Sequence, residues 1–196
     1  MLPILPTSKI DVTLESLADI MFDRFIDHSK EIRPPEQKLY LLSGNKVVFP
    51  AENIHSFLFA EVPGGCAKSF EGKKGKDYIR TGQGHVVIDP VYIPFCDSKN
   101  KPVKFKDFEG DSGLYIYLAA GRTKQGSLSI KQEIKPRPVL KAPWKLHFSI
   151  TLIENPLIDE NKLYNWFTKG GLLIALGTYR PRFGRFSVRA WDVGKN

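Results

Sequence analysis

The sequence predicts an α+β domain: an antiparallel sheet with helices on one face and a β-rich insertion in the middle. Three observations carry this. "KIDVTL" near the start, and "WKLHFSITLI" and "RFSVRAW" near the end, alternate apolar and polar residues, the period of strands with one buried face. Between the last two, "ENPLIDENKLYNWFTKGGLLIALG" repeats Leu163, Phe167, Gly171 and Ile174 at helical spacing around a glycine pair. From about 78 to 135, short strand-like runs ("HVVIDPVYIPF", "VKFKDF", "GLYIYLAA", "SLSIKQEI") alternate with Gly, Asp, Ser and Lys turns.

In chain order, Ile10, Val12 and Leu14 form the apolar face of the first strand. "ESLADIMFDRFIDH" follows with Leu17, Ile20, Met21 and Phe25 at helical spacing, which predicts an amphipathic helix. "EIRPPEQ" breaks it. "KLYLLSGNKVVFP" reads as a hairpin about Ser43-Gly44-Asn45, and Pro50 opens a short helix in "PAENIHSFLFAEV". "PGGCAKSFEGKKGKD" is expected to be a flexible cationic loop. In the closing β-α-β unit, Trp144, Leu146, Phe148, Ile150 and Leu152 oppose Lys145, His147, Ser149 and Thr151, and Phe186, Val188 and Ala190 oppose Arg185, Ser187 and Arg189. A β-α unit, a β-rich middle and a β-α-β unit suit a ferredoxin-like (RRM-like) sheet. Its open face is then expected to be polar, basic and free of carboxylates.

The 196 residues are read as a single domain, 1–196, in which 63–135 is a basic loop and β-rich insertion. No apolar run reaches membrane-spanning length, and "MLPILPTSKID" lacks the features of a signal peptide. Cys66 and Cys96 are too few for a disulfide scaffold, so free thiols and a cytoplasmic setting are expected. The net charge of +8 points to an acidic partner, with nucleic acid the commonest.

Positive charge is densest in "GTYRPRFGRFSVRAWD", where Arg180, Arg182, Arg185 and Arg189 lie among Tyr179, Phe183 and Trp191. Gly177 and Gly184 permit close approach of a ligand, guanidiniums offer paired donors to phosphates, and aromatic rings can stack on unpaired bases. The same residues also fit a helix cap and tight turn with solvated arginines. Lys68, Lys73, Lys74 and Lys76 in the cationic loop, and Lys145 on the sheet, would add point charges along a nucleic-acid backbone.

"LGTYRPRFGRFSV", a glycine-rich basic turn inside a terminal β-α-β unit, resembles the signature of the RAMP superfamily, the ferredoxin-like RNA-binding subunits of CRISPR systems. "VVFPAENIHSFLF" resembles the segment in which that family sets a proline and small residues ahead of a helix. The element order is also similar to small phage and prophage proteins of unknown function. The resemblance implies RNA as the ligand and the glycine-rich turn as its contact. This chain carries Gly177 and then Gly184, without a closely spaced Gly-x-Gly before the arginines.

Chemistry-bearing motifs are sparse. "HFSI" supplies one His-x-Ser half-motif of a two-histidine phosphoesterase, but His85 and His55 do not supply the second. His147 and His28 are candidates for a metal-independent ribonuclease; a polar sheet residue and a helix-end imidazole explain them better, and no catalytic residue is assigned. Lys68-Ser69 lacks the glycine a phosphate loop needs, and no metal-ligand spacing occurs. The expected function is therefore non-catalytic binding of single-stranded nucleic acid, RNA before DNA, without metal or cofactor. The alternatives are a protein-interaction module engaging or imitating a host nucleoprotein complex, self-assembly, and the ribonuclease; no membrane partner is expected.

Overall fold

The computed structural model describes residues 5–24, 33–62, 64–108, 113–125 and 129–194, with the backbone alone described at 119–125 and 129–133. In order, these residues form β1 (Thr7–Ser16), β2 (Ile20–Met21), β3 (Leu41–Leu42), β4 (Lys46–Pro50), α1 (Ala51–Phe59), α2 (Cys66–Phe70), α3 (Gly75–His85), β5 (Val86–Asp89) and β6 (Tyr92–Cys96). There follow β7 (Leu114–Gln125), β8 (Ser129–Leu140), β9 (Lys145–Ile153), α4 (Glu160–Leu173) and β10 (Phe186–Gly194).

The main sheet runs β10-β1-β9-β6-β4-β3, with β5 also paired to β9. Both β5 and β6 lie along β9, Val86–Asp89 opposite Ser149–Leu152 and Phe95–Cys96 opposite Lys145–Leu146, so together they act as one interrupted strand. The central order is then last, first, third, second, all antiparallel, with α1 and α4 as the two crossover helices. This is a ferredoxin-like α+β fold.

Alternation in the sequence becomes burial. Ile10, Val12 and Leu14 of β1 and Leu146, Phe148, Ile150 and Leu152 of β9 face the helices and are buried. Phe167 of α4 is the hub, its ring 5.5 Å from Phe57 of α1 and 6.0 Å from Phe148. Asp159 caps α4, accepting from the Lys162 N–H at 2.7 Å. The glycine pair does not interrupt this helix; it lets α4 sit close. A Cβ on Gly170 would lie 2.6 Å from both the Cys66 sulfur and the Phe57 ring, and one on Gly171 would lie 2.5 Å from the Phe186 carbonyl oxygen.

The predicted helix over 15–28 is not formed in its described part. Glu15 and Ser16 continue β1, and Ile20 and Met21 pair with Leu140 and Val139 of β8. Ile20, Met21 and Phe22 are buried in succession, as a chain wedged between two sheets requires and a half-exposed helix does not allow. Phe25 and His28 lie outside the described residues. The hairpin forms as expected, Leu41 opposite Val47, through Gly44 and Asn45 at positive φ, and α1 begins at Ala51 behind Pro50.

The expected cationic loop is helical. Cys66 and Ala67 of α2 and Ile79 of α3 are buried, and a Cβ on Gly75 would lie 3.0 Å from the Ala67 carbonyl oxygen. Its glycines serve helix contact as well as turning. Within 63–135, β5 and β6 belong to the main sheet. By contrast, β7 and β8 form a hairpin that joins β2 in a second sheet. Polar ties fix the hairpin's foot: Tyr115 Oη donates to Asp19 at 2.9 Å, Arg137 Nε to Asp23 at 2.8 Å, and buried Lys38 to the Pro136 carbonyl at 2.6 Å. Burial, then the Asp19 bond, pushes the Tyr115 phenol up to about 12.

A bulge alters the last strand. Leu14 pairs with Val188 and Thr13 with Ala190, leaving Arg189 as the extra residue. Beyond it the faces exchange. Ala190 opposes Thr13, while Trp191 opposes Val12 and turns towards α4, 5.5 Å from Tyr164 and 5.6 Å from Phe167. Trp191 is therefore core packing, not an open-face stacking platform.

Candidate nucleic-acid interface

The basic turn leaves α4 at Ile174 and returns to the sheet at Phe186. Gly177 and Gly184 have φ of 76° and 78°, the left-handed region glycine tolerates best. Both also meet backbone. A Cβ on Gly177 would lie 2.6 Å from the Met21 carbonyl oxygen, and one on Gly184 would overlap the Leu176 carbonyl. The amides of Leu176, Thr178 and Gly184 donate to Gly184, Met21 and Asp19 carbonyls at 3.0, 3.0 and 2.7 Å. The turn is thus locked to β2 by its glycines and internal amides, and side chains are left to meet a ligand.

The arginines have different settings. Arg182 is exposed, with its guanidinium 5.9 Å from the Tyr117 ring of β7, and Arg185 is exposed while its carbonyl accepts from Leu17 and Ala18. Arg180 is half-buried, and desolvation lowers its pKa. Its Nη1 reaches the Ala175 carbonyl at 3.4 Å. Among the described residues, Arg180, Arg182 and Arg185 form no ion pair. Tyr179, 42% exposed, and buried Phe183 pack ring against ring at 6.4 Å, and Phe183 meets Tyr117 at 5.3 Å. The turn and the hairpin foot therefore form one continuous surface of arginine and aromatic groups.

The open sheet face differs from expectation. Lys145, His147, Ser149 and Thr151 do face it, but register brings carboxylates beside them: Glu15 opposite Lys145, Asp11 and Asp89 opposite Ser149, and Asp192 opposite Asp11. Sequence alternation within one strand does not reveal what neighbouring strands contribute. Lys145 and Arg189 each lie 3.9 Å from Glu15, and Lys145 also reaches the Asn100 side chain at 3.5 Å. His147 is bonded to Thr13 Oγ1 at 3.0 Å in an open 620 Å³ depression lined by Asp11, Asp89 and Asp192. Burial, then Lys145, lowers its pKa.

The lysines stand apart from the turn. Lys68 is exposed on α2, Lys73 and Lys74 on the following 3-10 turn, and Lys76 on α3. Glu71, between them, receives Lys162 at 3.2 Å and the Trp166 indole N–H at 2.9 Å, near the start of α4. From Lys162 to Leu173, where the basic turn departs, the helix rises about 16 Å. The lysines and the arginines are thus two separate basic surfaces.

Sequence reading missed the residues around Arg180. A 250 Å³ cavity joins Arg180 and Thr178 of the turn to Asn53 and Ser56 of α1, with Asp23 and Tyr40 among its other walls. The available signal was small: Asn53 and Ser56 are a polar pair at i, i+3 on a helix whose Ile54, Phe57 and Leu58 are buried. Among the described residues no His, Cys, Asp and Glu grouping could hold a metal ion, and no helix is long and apolar enough to cross a membrane.

The fold and site define a ferredoxin-like α+β domain with a hairpin packed on a basic, glycine-locked turn. No family model and no curated protein matches the chain. Among solved structures it is similar to a chain of the type III-B Cmr-beta complex bound to cognate target RNA, determined by cryo-EM, with a TM-score of 0.55 at 13% identity. The similarity covers 96% of this chain and 61% of that one, so this chain spans under two thirds of its neighbour's length. It is a likeness of fold.

Proposed function

We propose that this chain is a non-catalytic, single-stranded RNA-binding protein of RAMP type, gripping RNA at the turn between α4 and β10. The observation that carries the reading is the group Arg180, Arg182 and Arg185, without ion pairs among the described residues, on a rigid turn beside Tyr179 and Tyr117. Unneutralised guanidiniums suit phosphates, and neighbouring rings suit unpaired bases. The fold it shares with a chain from an RNA-bound complex favours RNA over DNA. RNA runs over the turn and hairpin foot rather than across the sheet, where Asp11, Asp89 and Asp192 would repel phosphate. The lysines of α2 and α3 serve as a second, weaker backbone contact.

The test is fluorescence anisotropy on labelled single-stranded RNA and DNA through a salt series. Two or three phosphate contacts give a log–log slope of about −1.4 to −2 on a single strand, and joint replacement of Arg180, Arg182 and Arg185 by alanine removes it. A folded triple variant that binds as the parent does would move the contact elsewhere. Absence of binding at low salt would reject the reading.

A further inference from the structure

The cavity behind the turn has a different chemistry from the surface in front of it. Its volume of 250 Å³ exceeds the roughly 150 Å³ that accommodates a benzene ring, giving room for one bicyclic ring system and little more. Its polar groups have both hydrogen-bonding senses. Arg180 offers a planar fork of donors, desolvated, with a long contact to the Ala175 carbonyl. Asp23 offers a carboxylate whose Oδ2 already accepts from Arg137 Nε at 2.8 Å, which fixes its direction. Asn53, Ser56 and Thr178 add an amide and two hydroxyls, and Tyr40 supplies a half-exposed aromatic wall.

One cation and one anion on the walls make a site for a neutral group. A phosphate would gain Arg180 but offer no donor to the Asp23 acceptor; a protein cation would meet the reverse. A ligand with an acceptor edge and a donor edge on one flat ring satisfies both. Guanine has this form, with O6 and N7 for an arginine fork and N1–H and N2–H for a carboxylate. Adenine presents its N6 donor to the arginine, and the pyrimidines lack the O6/N7 pair.

We propose that the cavity lined by Arg180, Asp23, Asn53, Ser56 and Tyr40 is a guanine-binding pocket, taking one unstacked base from the strand bound at the turn. The source of that base rests on the RNA-binding reading; the base chemistry does not. Arg180 therefore reads a base, while Arg182 and Arg185 in front of it contact phosphates.

The experiment has two arms on the full chain. In the first, labelled uridine oligomers carrying a single central G, A or C are compared by anisotropy; the G oligomer is expected to bind about tenfold more tightly, the discrimination of one bidentate contact. Arg180→Lys keeps the charge and loses the fork, so the G, A and C oligomers should bind that variant with equal affinity. In the second, guanosine and adenosine 5′-monophosphates are titrated by calorimetry. Binding of the guanosine compound without discrimination among oligomers supports the pocket with a free nucleotide as its ligand. Equal affinities in both arms overturn the pocket while leaving RNA binding intact. If no oligomer binds at low salt, the RNA reading fails, and calorimetry alone decides the guanine site.

Discussion

Gly184 and Leu176 are in backbone contact across the base of the basic turn: the Leu176 N–H donates to the Gly184 carbonyl at 3.0 Å, and a Cβ at 184 would overlap the Leu176 carbonyl. With φ at 78°, Gly184 is required twice, for its conformation and for its lack of a side chain. Gly184→Ala is expected to cost about 3 kcal/mol, combining left-handed strain with overpacking, as measured by urea denaturation. A loss below about 1 kcal/mol would show that the turn can shift.

Gly170 and Gly84 give opposite expectations for the same change. Alanine ordinarily stabilises a helix by up to about 1 kcal/mol over glycine, and Gly84 of α3 has open space where a Cβ would go, so Gly84→Ala should stabilise. At Gly170 the new carbon meets Cys66 and Phe57, so Gly170→Ala should destabilise by about 1–3 kcal/mol despite its better propensity. Thermal melts of the two variants decide this; a gain at both positions would contradict the close approach of α4.

Lys145 is held by Glu15 at 3.9 Å on a face that also carries Asp11, Asp89 and Asp192. Lys145→Ala is expected to change RNA affinity by less than about twofold and stability by less than about 1 kcal/mol, the usual worth of a surface ion pair. A large affinity loss in this variant would bring RNA across the open sheet.

His55 packs against Phe59 at 5.0 Å, and burial lowers its pKa below the ordinary 6.5, opposed by the Gly82 backbone and Glu52. With a lowered folded pKa, the unfolded chain binds more protons as the solution is acidified. The imidazole's contribution is thus fully present above about 6.5 and is lost as pH falls from there to the folded value. Urea midpoints should fall between pH 7.5 and 5, and His55→Gln should flatten part of that fall. Burial also lowers His147, so a His55→Gln, His147→Gln double variant should be flatter still. These pH values are chosen to bracket the usual histidine range of about 6.5.

How much was legible in the sequence varies by element. Alternation in β1 and β9 and the helical stripe of α4 predicted the ferredoxin-like frame, because each strand or helix must bury one periodic face. Over 15–28 the helical spacing of Leu17, Ile20, Met21 and Phe25 misleads in the described part, because the burial of Ile20, Met21 and Phe22 depends on β8, far along the chain. Glycines in the lysine segment suggested flexibility, whereas Gly75 lets two helices approach.

For the candidate site, the sequence by itself determined the inventory: Arg180, Arg182 and Arg185 beside Tyr179, with glycines at 177 and 184. Composition and local period are properties of a short stretch of chain and can be read there. Tertiary structure decided what each residue faces. Strand register set Asp11, Asp89 and Asp192 around His147, and the bulge at Arg189 turned Trp191 inward. Packing of the turn on α1 and β2 carried Arg180 away from its neighbours into a cavity with Asn53, Ser56 and Asp23. Such pairings join residues distant in sequence, and only long-range packing, which no local period encodes, brings them together.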